Sequence, residues 1–244
     1  MRNCLFTLMS NNFFMGFSVT MKSFLHHNPW FDWEFVVLDD HLSPRIKSEM
    51  KKIYSNLIFR KPNYEAYSRI NFNRTIDSLK TTFYKLDAFS LYDYDRVVQL
   101  DMDMVCQGDM REVFEQTEPF SACLTYRLQA DVLGADFNSG FFVVNKKFLN
   151  QTTYEKLLSI ASVGYAMPDQ KTLNTFFNRK FNILDKKYNC EKRMIKSKNN
   201  YMKPEDMIII HYVGKKPWHE EEDLPEHEKG YDAVNDIWWG WYNK

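Results

Sequence analysis

Residues 97–105 are Val-Val-Gln-Leu-Asp-Met-Asp-Met-Val, an apolar run that ends in two aspartates. Such a run is typical of a strand that is buried on both faces. In an extended segment, residues two apart point the same way, so Asp101 and Asp103 can face one point at the carboxyl end of the strand. Ligands bind at that end in open α/β sheets, and two carboxylates there suit Mg²⁺ or Mn²⁺ bridging a diphosphate. A strand that merely ends in two solvated acids would show the same pattern.

Apolar strands and helices alternate in the part of the chain that precedes this run. Strands are predicted at residues 3–9, 33–40, 57–61 and 96–100. Helices are predicted at 15–27, from Ser43-Pro44 to about Tyr54, and around Phe83, Leu86 and Phe89. This β-α-β-α order predicts an α/β fold with a mostly parallel sheet and helices on both faces.

The second half mixes strands and helices. Strands are predicted at 120–126, 138–145 and 206–212, and helices near 150–162 and 168–178. No Pro/Gly/Ser-rich linker or internal repeat interrupts the chain, so residues 1–244 are predicted to form a single domain. The acidic run 219–228 is predicted to be a solvated loop. Residues 235–242, which contain Trp238, Trp239 and Trp241, are predicted to form a helix or turn packed on the domain.

Composition and charge argue against several classes of function. Lys+Arg and Asp+Glu both number 32, so the net charge is near zero, which argues against a bulk nucleic-acid binder. No apolar window approaches a membrane span and no secretory signal is recognised, although peripheral contact with a membrane is left open. The four cysteines form no C-x-x-C pair, which predicts a reduced, cytoplasmic protein without a zinc site.

Three further motifs carry polar groups next to apolar strands or helices. The stretch 208–218 ends a strand in His211, a ready Mn²⁺ ligand, and a Gly-containing turn with two lysines that suit a phosphate follows. Asn138-Ser139-Gly140 precedes a buried strand, and Asp169-Gln170 lies in the first turn of a helix. Each has an ordinary alternative: a satisfied core histidine, a plain turn, and an acid favoured by the helix dipole.

In this order and spacing, the four motifs resemble glycosyltransferase family 8, which includes glycogenin and the bacterial lipooligosaccharide galactosyltransferases. Residues 7–14, Thr-Leu-Met-Ser-Asn-Asn-Phe-Phe, look like the segment with which these enzymes grip uridine. Tyr84-Lys85-Leu86 looks like the family's T-K-L. The resemblance spans residues 3–218, which is nearly the whole chain.

The resemblance implies a GT-A fold, with a single Rossmann-like nucleotide-binding domain. It also implies a UDP-sugar donor, Mn²⁺ with Mg²⁺ as the alternative, and transfer of a hexose, glucose or galactose favoured, with retention to a saccharide or glycoconjugate. The implied metal ligands are Asp101, Asp103 and His211. The implied nucleotide contacts are Thr7, Leu8, Ser10, Asn11, Phe14, Met102, Gly214 and Lys216, with Phe14 stacking on the base. The implied donor-sugar contacts are Lys85, Asn138, Ser139, Asp169 and Gln170. Of these residues, Lys85, Asp169, Gln170 and Lys216 are the catalytic candidates.

The chain departs from the family at several of these positions. Met102 stands where the family usually has Ala, and Ala166 where glycogenin has Asp. The loop after Gly214 is one residue shorter than in glycogenin, so Lys215 could take the role of Lys216. The stretch 97–105 also fits a phosphatase of the haloacid dehalogenase type, with Asp101 as nucleophile, but no later acidic pair matches that class. A nucleotide-sugar-binding module that lost catalysis is the third interpretation.

Overall fold

The computed structural model of the chain describes residues 1–71, 77–163, 168–198, 202–219 and 225–244. The strands are β1 (Asn3–Met9), β2 (Glu34–Asp39), β3 (Leu57–Arg60), β4 (Arg96–Leu100), β5 (Met104–Cys106), β6 (Phe120–Arg127), β7 (Val132–Asn145), β8 (Asn182–Ile183), β9 (Cys190–Glu191) and β10 (Ile209–His211). The α-helices are α1 (Phe14–His27), α2 (Pro44–Ile53), α3 (Tyr64–Tyr67), α4 (Arg111–Phe114), α5 (Gln151–Ala161), α6 (Pro168–Phe177) and α7 (Asp232–Tyr242). A long 3₁₀ helix spans Asp77–Ser90, and shorter 3₁₀ turns lie at Asn11–Phe13, Leu128–Ala130, Lys146–Phe148, Lys186–Tyr188, Lys192–Lys196, Pro204–Asp206 and Glu226–Glu228.

The main sheet has seven strands in the order β3-β2-β1-β4-β7-β6-β8. Strands β1 to β4 run parallel, as their helical crossovers require, and β7 runs antiparallel to both β4 and β6. A second sheet has the order β5-β10-β9. The predicted α/β fold with a mostly parallel, mixed sheet is therefore confirmed.

Apolar layers cover both faces of the main sheet. Along β4, Val97 packs in a layer with Phe83 and Phe89 of the 3₁₀ helix, while Val98 packs in the opposite layer with Phe17 of α1. Successive strand residues point to opposite faces, so a strand covered on both sides has no position for a solvated polar side chain. This burial is the physical reason for the continuous apolar run at 96–100.

Three predicted elements differ in the structure. The helix around Phe83 is a 3₁₀ helix, and the strand predicted at 206–212 is only Ile209–His211. The strand predicted at 138–145 begins at Val132, so Asn138-Ser139-Gly140 lies inside β7 and is not a turn. Pairing with β6 holds these polar residues extended, because Phe137 lies opposite Leu124 and Leu133 opposite Tyr126.

The C-terminal aromatic segment forms α7, whose Trp238 is fully buried, as predicted for a helix packed on the domain. The acidic run is only partly as predicted. Glu228 is buried, and residues 220–224 lie outside the described ranges. Within those ranges, no helix is both long enough and apolar enough to cross a membrane.

The N-terminal turn of α1 packs directly on the segment that joins β4 to β5. A Cβ atom at Gly16 would lie 2.1 Å from the carbonyl oxygen of Met102 and 2.8 Å from the Trp218 ring. Further along α1, the Thr20 hydroxyl donates to the Met104 carbonyl at 2.8 Å, and the Ser23 hydroxyl accepts from the Cys106 N–H at 3.0 Å. Helix α1 therefore fixes the backbone on both sides of Asp103.

We expect Gly16→Ala to lower the free energy of unfolding by about 1–3 kcal/mol, the usual cost of overpacking, because the added methyl displaces the Met102 carbonyl. Denaturant titration measures the loss. The matched control is Gly240→Ala in α7, where an added Cβ meets nothing within 4 Å. A neutral or stabilising result is expected there, since Ala favours a helix interior over Gly. Equal behaviour of the two variants would contradict the close approach of α1.

Candidate active site

A cavity of about 520 Å³ lies at the carboxyl ends of β1, β2 and β4. Parallel strands end at the same edge, so Leu8, Asp40 and Asp101 converge there from separate parts of the chain. The wall contains most of the predicted site residues: Leu8, Ser10, Lys85, Asp101, Met102, Asp103, Asn138, Ser139, Asp169, Gln170, His211, Gly214 and Lys216. Asn138 to Gly140 come from antiparallel β7, whose register places the Gly140 carbonyl 2.8 Å from the Asp101 N–H.

Asp101, Asp103 and His211 form the predicted metal triad. Each offers a ligand atom, and the three atoms lie within 4.8 Å of one another. The aspartates converge from a bend between β4 and β5, not from one extended strand. His211 reaches them because β10 pairs antiparallel with β5, with His211 opposite Met104 and the Tyr212 N–H 2.9 Å from the Asp103 carbonyl.

A chain of amide groups decides which nitrogen of His211 faces the aspartates. The Gly140 N–H donates to Asn138 Oδ1 at 2.9 Å, so that oxygen is an acceptor. Asn189 Nδ2 donates to the same oxygen at 3.0 Å, which turns Asn189 Oδ1 toward His211 Nδ1 at 2.9 Å. Nδ1 therefore carries the proton of the neutral ring, an assignment that follows from its partner. Nε2, which lies 3.4 Å from Asp103 Oδ1, is left with a free lone pair.

Two lysines balance the two carboxylates. Lys85 Nζ lies 2.8 Å from Asp101 Oδ2 and 3.4 Å from Asp169 Oδ2. Lys216 Nζ contacts Asp103 Oδ2 and donates to the Tyr212 carbonyl at 2.9 Å. Lys85 comes from the 3₁₀ helix that precedes β4, 16 residues before Asp101, whereas Lys216 comes from the loop after β10, 113 residues after Asp103. The site thus holds carboxylates and ammonium groups in alternation.

The balance of burial and charge shifts the pKa values in this cluster. Burial raises the pKa of Asp101, and Lys85 offsets this only in part. Burial acts the same way on Asp103, but the Lys216 ammonium group holds the pKa of Asp103 below the usual range. For Lys85, burial lowers the pKa and the nearby Asp101 and Asp169 more than reverse this, so Lys85 is charged at neutral pH.

The first turn of α6 meets β7 across the cavity wall. Asp169 is buried and accepts a hydrogen bond from the Ser139 hydroxyl at 2.7 Å. Gln170 Oε1 accepts from Asn138 Nδ2 at 3.3 Å and from the Ser139 N–H at 3.4 Å. Asp169 is therefore not a solvated acid that merely complements the helix dipole.

Three predicted nucleotide contacts do not line the cavity: Thr7, Asn11 and Phe14. Thr7 is fully buried in β1. Asn11 braces two loops, since its Nδ2 donates to the His41 carbonyl at 3.0 Å and its Oδ1 accepts from the Ser43 N–H at 2.9 Å. Phe13 and Phe14 both pack against the core, and of the two only Phe13 also lines the cavity. The register at the start of α1 decides between two adjacent phenylalanines, and the sequence holds no local sign of it.

Other residues of the site were not predicted. Asp40, Thr82 and His219 line the cavity, and Asn189 supports His211 from behind. Gln99 Nε2 donates to Asp101 Oδ1 at 2.7 Å. A sequence signal existed only for Gln99, which is a fully buried polar residue within an otherwise apolar strand.

The family model described as glycosyl transferase family 8 matches residues 4–222. The chain therefore belongs to glycosyltransferase family 8 and is a glycosyltransferase with a GT-A fold. The phosphatase interpretation, with Asp101 as a covalent nucleophile, is wrong.

The curated relatives include two enzymes of lipopolysaccharide assembly. The chain is 28% identical to a lipopolysaccharide 1,2-glucosyltransferase of Escherichia coli K12, with 85% of this chain and 70% of that protein covered. It is 25% identical to a lipopolysaccharide 1,3-galactosyltransferase of Salmonella typhimurium LT2, with the same coverage. Among solved structures, the galactosyltransferase LgtC with donor and acceptor sugar analogues aligns at a TM-score of 0.71 and 18% identity, covering 97% of this chain and 95% of that one. The apo glycosyltransferase GlyE of Streptococcus pneumoniae TIGR4 aligns at 0.76 and 19% identity, covering 100% and 61%.

We expect Asn189→Ala to weaken Mn²⁺ binding by about 10–100-fold, the usual effect of losing a group that orients a metal-binding histidine. The physical reason is that His211 Nδ1 loses its acceptor and the ring is freed. Mn²⁺ titration followed by electron paramagnetic resonance measures the affinity without any substrate. Asn56→Ala, which removes an exposed amide at 3.3 Å from the Asp32 carbonyl, is the control and should bind like the wild type. Unchanged affinity in Asn189→Ala would show that the ring needs no such support.

Proposed function

We propose that the protein transfers a hexose from a UDP-sugar to a hydroxyl group of a saccharide or glycoconjugate, with retention of anomeric configuration and with Mn²⁺ as the cofactor. The observation that carries this proposal is the Asp101–Asp103–His211 triad, set in the cavity of a family 8 glycosyltransferase with Lys85 and Lys216 beside it. The glucosyl- and galactosyltransferases among the relatives support glucose or galactose as the sugar and a lipopolysaccharide-type acceptor.

The ligand atoms of the triad suit a divalent cation. Asp103 Oδ1 is buried and has no hydrogen-bond donor among the residues that the structure describes. The group beside it, Nε2 of His211 at 3.4 Å, is an acceptor too in the tautomer assigned above. Two acceptors facing each other in a buried site are stabilised by a cation between them. Carboxylate and imidazole ligands suit Mn²⁺, with Mg²⁺ as the alternative.

Uridine recognition is proposed for the loop after β1 and its surroundings. Leu8, Ser10 and Met102 from the predicted set remain on the wall, and Phe13 takes the stacking role that the family resemblance implied for Phe14. Asn11 instead holds two loops together through its side-chain amide, and Thr7 is buried in β1. Gly214 and Lys216 are proposed for the diphosphate.

The reaction needs positive charge where the leaving diphosphate becomes more negative. A bound metal would act there as a Lewis acid. Lys216 adds a fixed ammonium group at the same end, which is most useful in the transition state as charge develops on the leaving oxygen. Asp169, Gln170, Asn138 and Ser139 are proposed to hold sugar hydroxyls. Lys85 contacts both Asp101, a proposed metal ligand, and Asp169, a proposed sugar contact, so it links these two parts of the site.

We favour attack of the acceptor hydroxyl from the face that the diphosphate leaves. The alternative is a covalent intermediate on Asp169 or Gln170. Asp169 already accepts from Ser139 at 2.7 Å and lies 3.4 Å from Lys85 Nζ. These partners stabilise its negative charge, which makes the carboxylate a weaker nucleophile.

Residues 1–244 are proposed to act as one catalytic domain, with the cytoplasm as its compartment and peripheral contact with a membrane left open. All four cysteines are free and buried, which suits reducing conditions.

A donor screen tests this function. We expect hydrolysis of UDP-glucose or UDP-galactose with Mn²⁺, little with GDP- or CMP-sugars, and none in excess EDTA. Product release followed by chromatography measures each rate. Full turnover in EDTA would contradict the need for a divalent metal, and a preference for GDP-sugars would contradict recognition of uridine. Binding of UDP-sugars without any turnover would favour the inactive-module interpretation.

We expect Lys216→Ala to slow transfer by roughly 100-fold or more, the usual cost of removing one donor to developing negative charge. Lys215→Ala should be close to neutral, because the Lys215 side chain is exposed while Lys216 lines the cavity. Initial rates at saturating Mn²⁺ with a single UDP-sugar compare the two variants. If Lys215→Ala proves the damaged one, the shorter loop has exchanged the roles of the two lysines.

A further inference from the structure

The backbone of the diphosphate loop, residues 213–216, is held on both sides by charged side chains from distant segments. Lys192 Nζ donates to the Lys215 carbonyl at 2.6 Å. The Lys215 N–H donates to Glu228 Oε2 at 3.3 Å. The backbone N–H and carbonyl of Lys215, the residue before Lys216, are therefore both hydrogen-bonded to side chains that lie outside the loop.

Together with the partly exposed Arg193, these two buried side chains form an ion cluster, which we define as Lys192, Arg193 and Glu228. Glu228 lies 2.9 Å from Lys192 Nζ and 2.9 Å from an Arg193 guanidinium nitrogen. Lys192 is 2% exposed and Glu228 is 8% exposed. The Lys192 ammonium also lies 4.7 Å from the centre of the Tyr231 ring, which covers it from the side of α7.

The loop is shaped to fit the carboxylate of this cluster. Gly214 has a φ of +77°, a conformation that favours glycine. A Cβ atom at that position would lie 2.3 Å from Glu228 Oε1 and 2.8 Å from Arg193. The Glu228 carboxylate therefore packs directly on the backbone at Gly214, beside the Lys215 N–H from which it accepts a hydrogen bond.

A buried ion cluster contributes little net stability, because the cost of desolvating its charges offsets most of their attraction. Its contribution here is geometric. Lys216 has a long side chain with many rotamers, so its charge reaches one point in the cavity only if its backbone is fixed. Displacement of a charged group by about 1 Å is enough to cost roughly 100-fold in rate.

We propose that Glu228, acting with Lys192, is a positioning residue for the leaving diphosphate. It touches no substrate. It holds the 213–216 loop in the conformation that aims the Lys216 side chain at the phosphates. This inference rests on the proposed function, since it assumes that a nucleoside diphosphate occupies the cavity. It assigns a role to the last residue of the acidic run, which the sequence pattern predicts to be a solvated loop.

The test compares Glu228→Gln with the wild-type protein, and uses Glu205→Gln, an exposed acid in another 3₁₀ turn, as the matched control. The first measurement needs no ligand: amide hydrogen exchange of residues 212–217. The second is calorimetric affinity, with Mn²⁺ present, for UDP and for uridine, which shares the nucleoside but has no diphosphate. Glu228→Asp, which keeps the charge and shortens the side chain, serves as the conservative variant if Glu228→Gln does not fold.

We expect at least tenfold faster exchange at Lys215 in Glu228→Gln and at least tenfold weaker UDP binding, with uridine binding unchanged. Glu228→Asp should recover part of both losses, and Glu205→Gln should match the wild type. Equal weakening of UDP and uridine, or loss of melting temperature without a change in the UDP-to-uridine ratio, would overturn the positioning role. If wild-type protein does not bind UDP, the proposed function fails, while the exchange measurement still tests whether Glu228 holds the loop.

Discussion

Two carboxylates held close together, Asp103 buried and Asp101 partly buried, are the constraint on which the rest of this site depends. Asp101 and Asp103 repel each other, and burial further disfavours their charge. Two cations offset this negative charge: Lys85 from the 3₁₀ helix just before β4, and Lys216 from the loop after β10, which is distant in the sequence. The same concentration of negative charge makes the triad suited to a divalent metal, so the charge pattern that is costly for folding serves the proposed function.

The site lies where the two sheets meet. Strand β4 of the main sheet ends at Asp101, and β5 of the small sheet begins just after Asp103. Antiparallel pairing places the other side chains of the site. Strand β7 brings Asn138 and Ser139 beside β4, and β10 brings His211 beside β5. A shift of one residue in either pairing would turn these side chains away, because strand residues alternate in direction. Register, which involves contacts far apart in the chain, therefore determines the geometry of the site.

Supporting residues link parts of the site that have different proposed roles. Asn138 donates a hydrogen bond to Gln170, Asn189 donates to Asn138, and Asn189 Oδ1 pairs with His211 Nδ1, so one chain of hydrogen bonds connects the proposed sugar contacts to the proposed metal triad. The cluster of Lys192, Arg193 and Glu228 plays a comparable part behind the 213–216 loop. Such partners fix the positions of the few residues that line the cavity.

The sequence by itself determined all strands of the main sheet except β8, the α/β class, the pair of Asp101 and Asp103 and the family, because apolar periodicity and short motifs are local properties. Only the tertiary structure decided that Phe13 and not Phe14 faces the cavity, that the strand predicted at 138–145 begins at Val132, and that Glu228 is buried. The first depends on the register of a helix start, the second on pairing with β6, and the third on partners elsewhere in the chain, such as Arg193, 35 residues away. A side chain's local sequence is the same whether water or a distant cation surrounds it, so only the folded chain distinguishes a solvated glutamate from one that holds a loop in place.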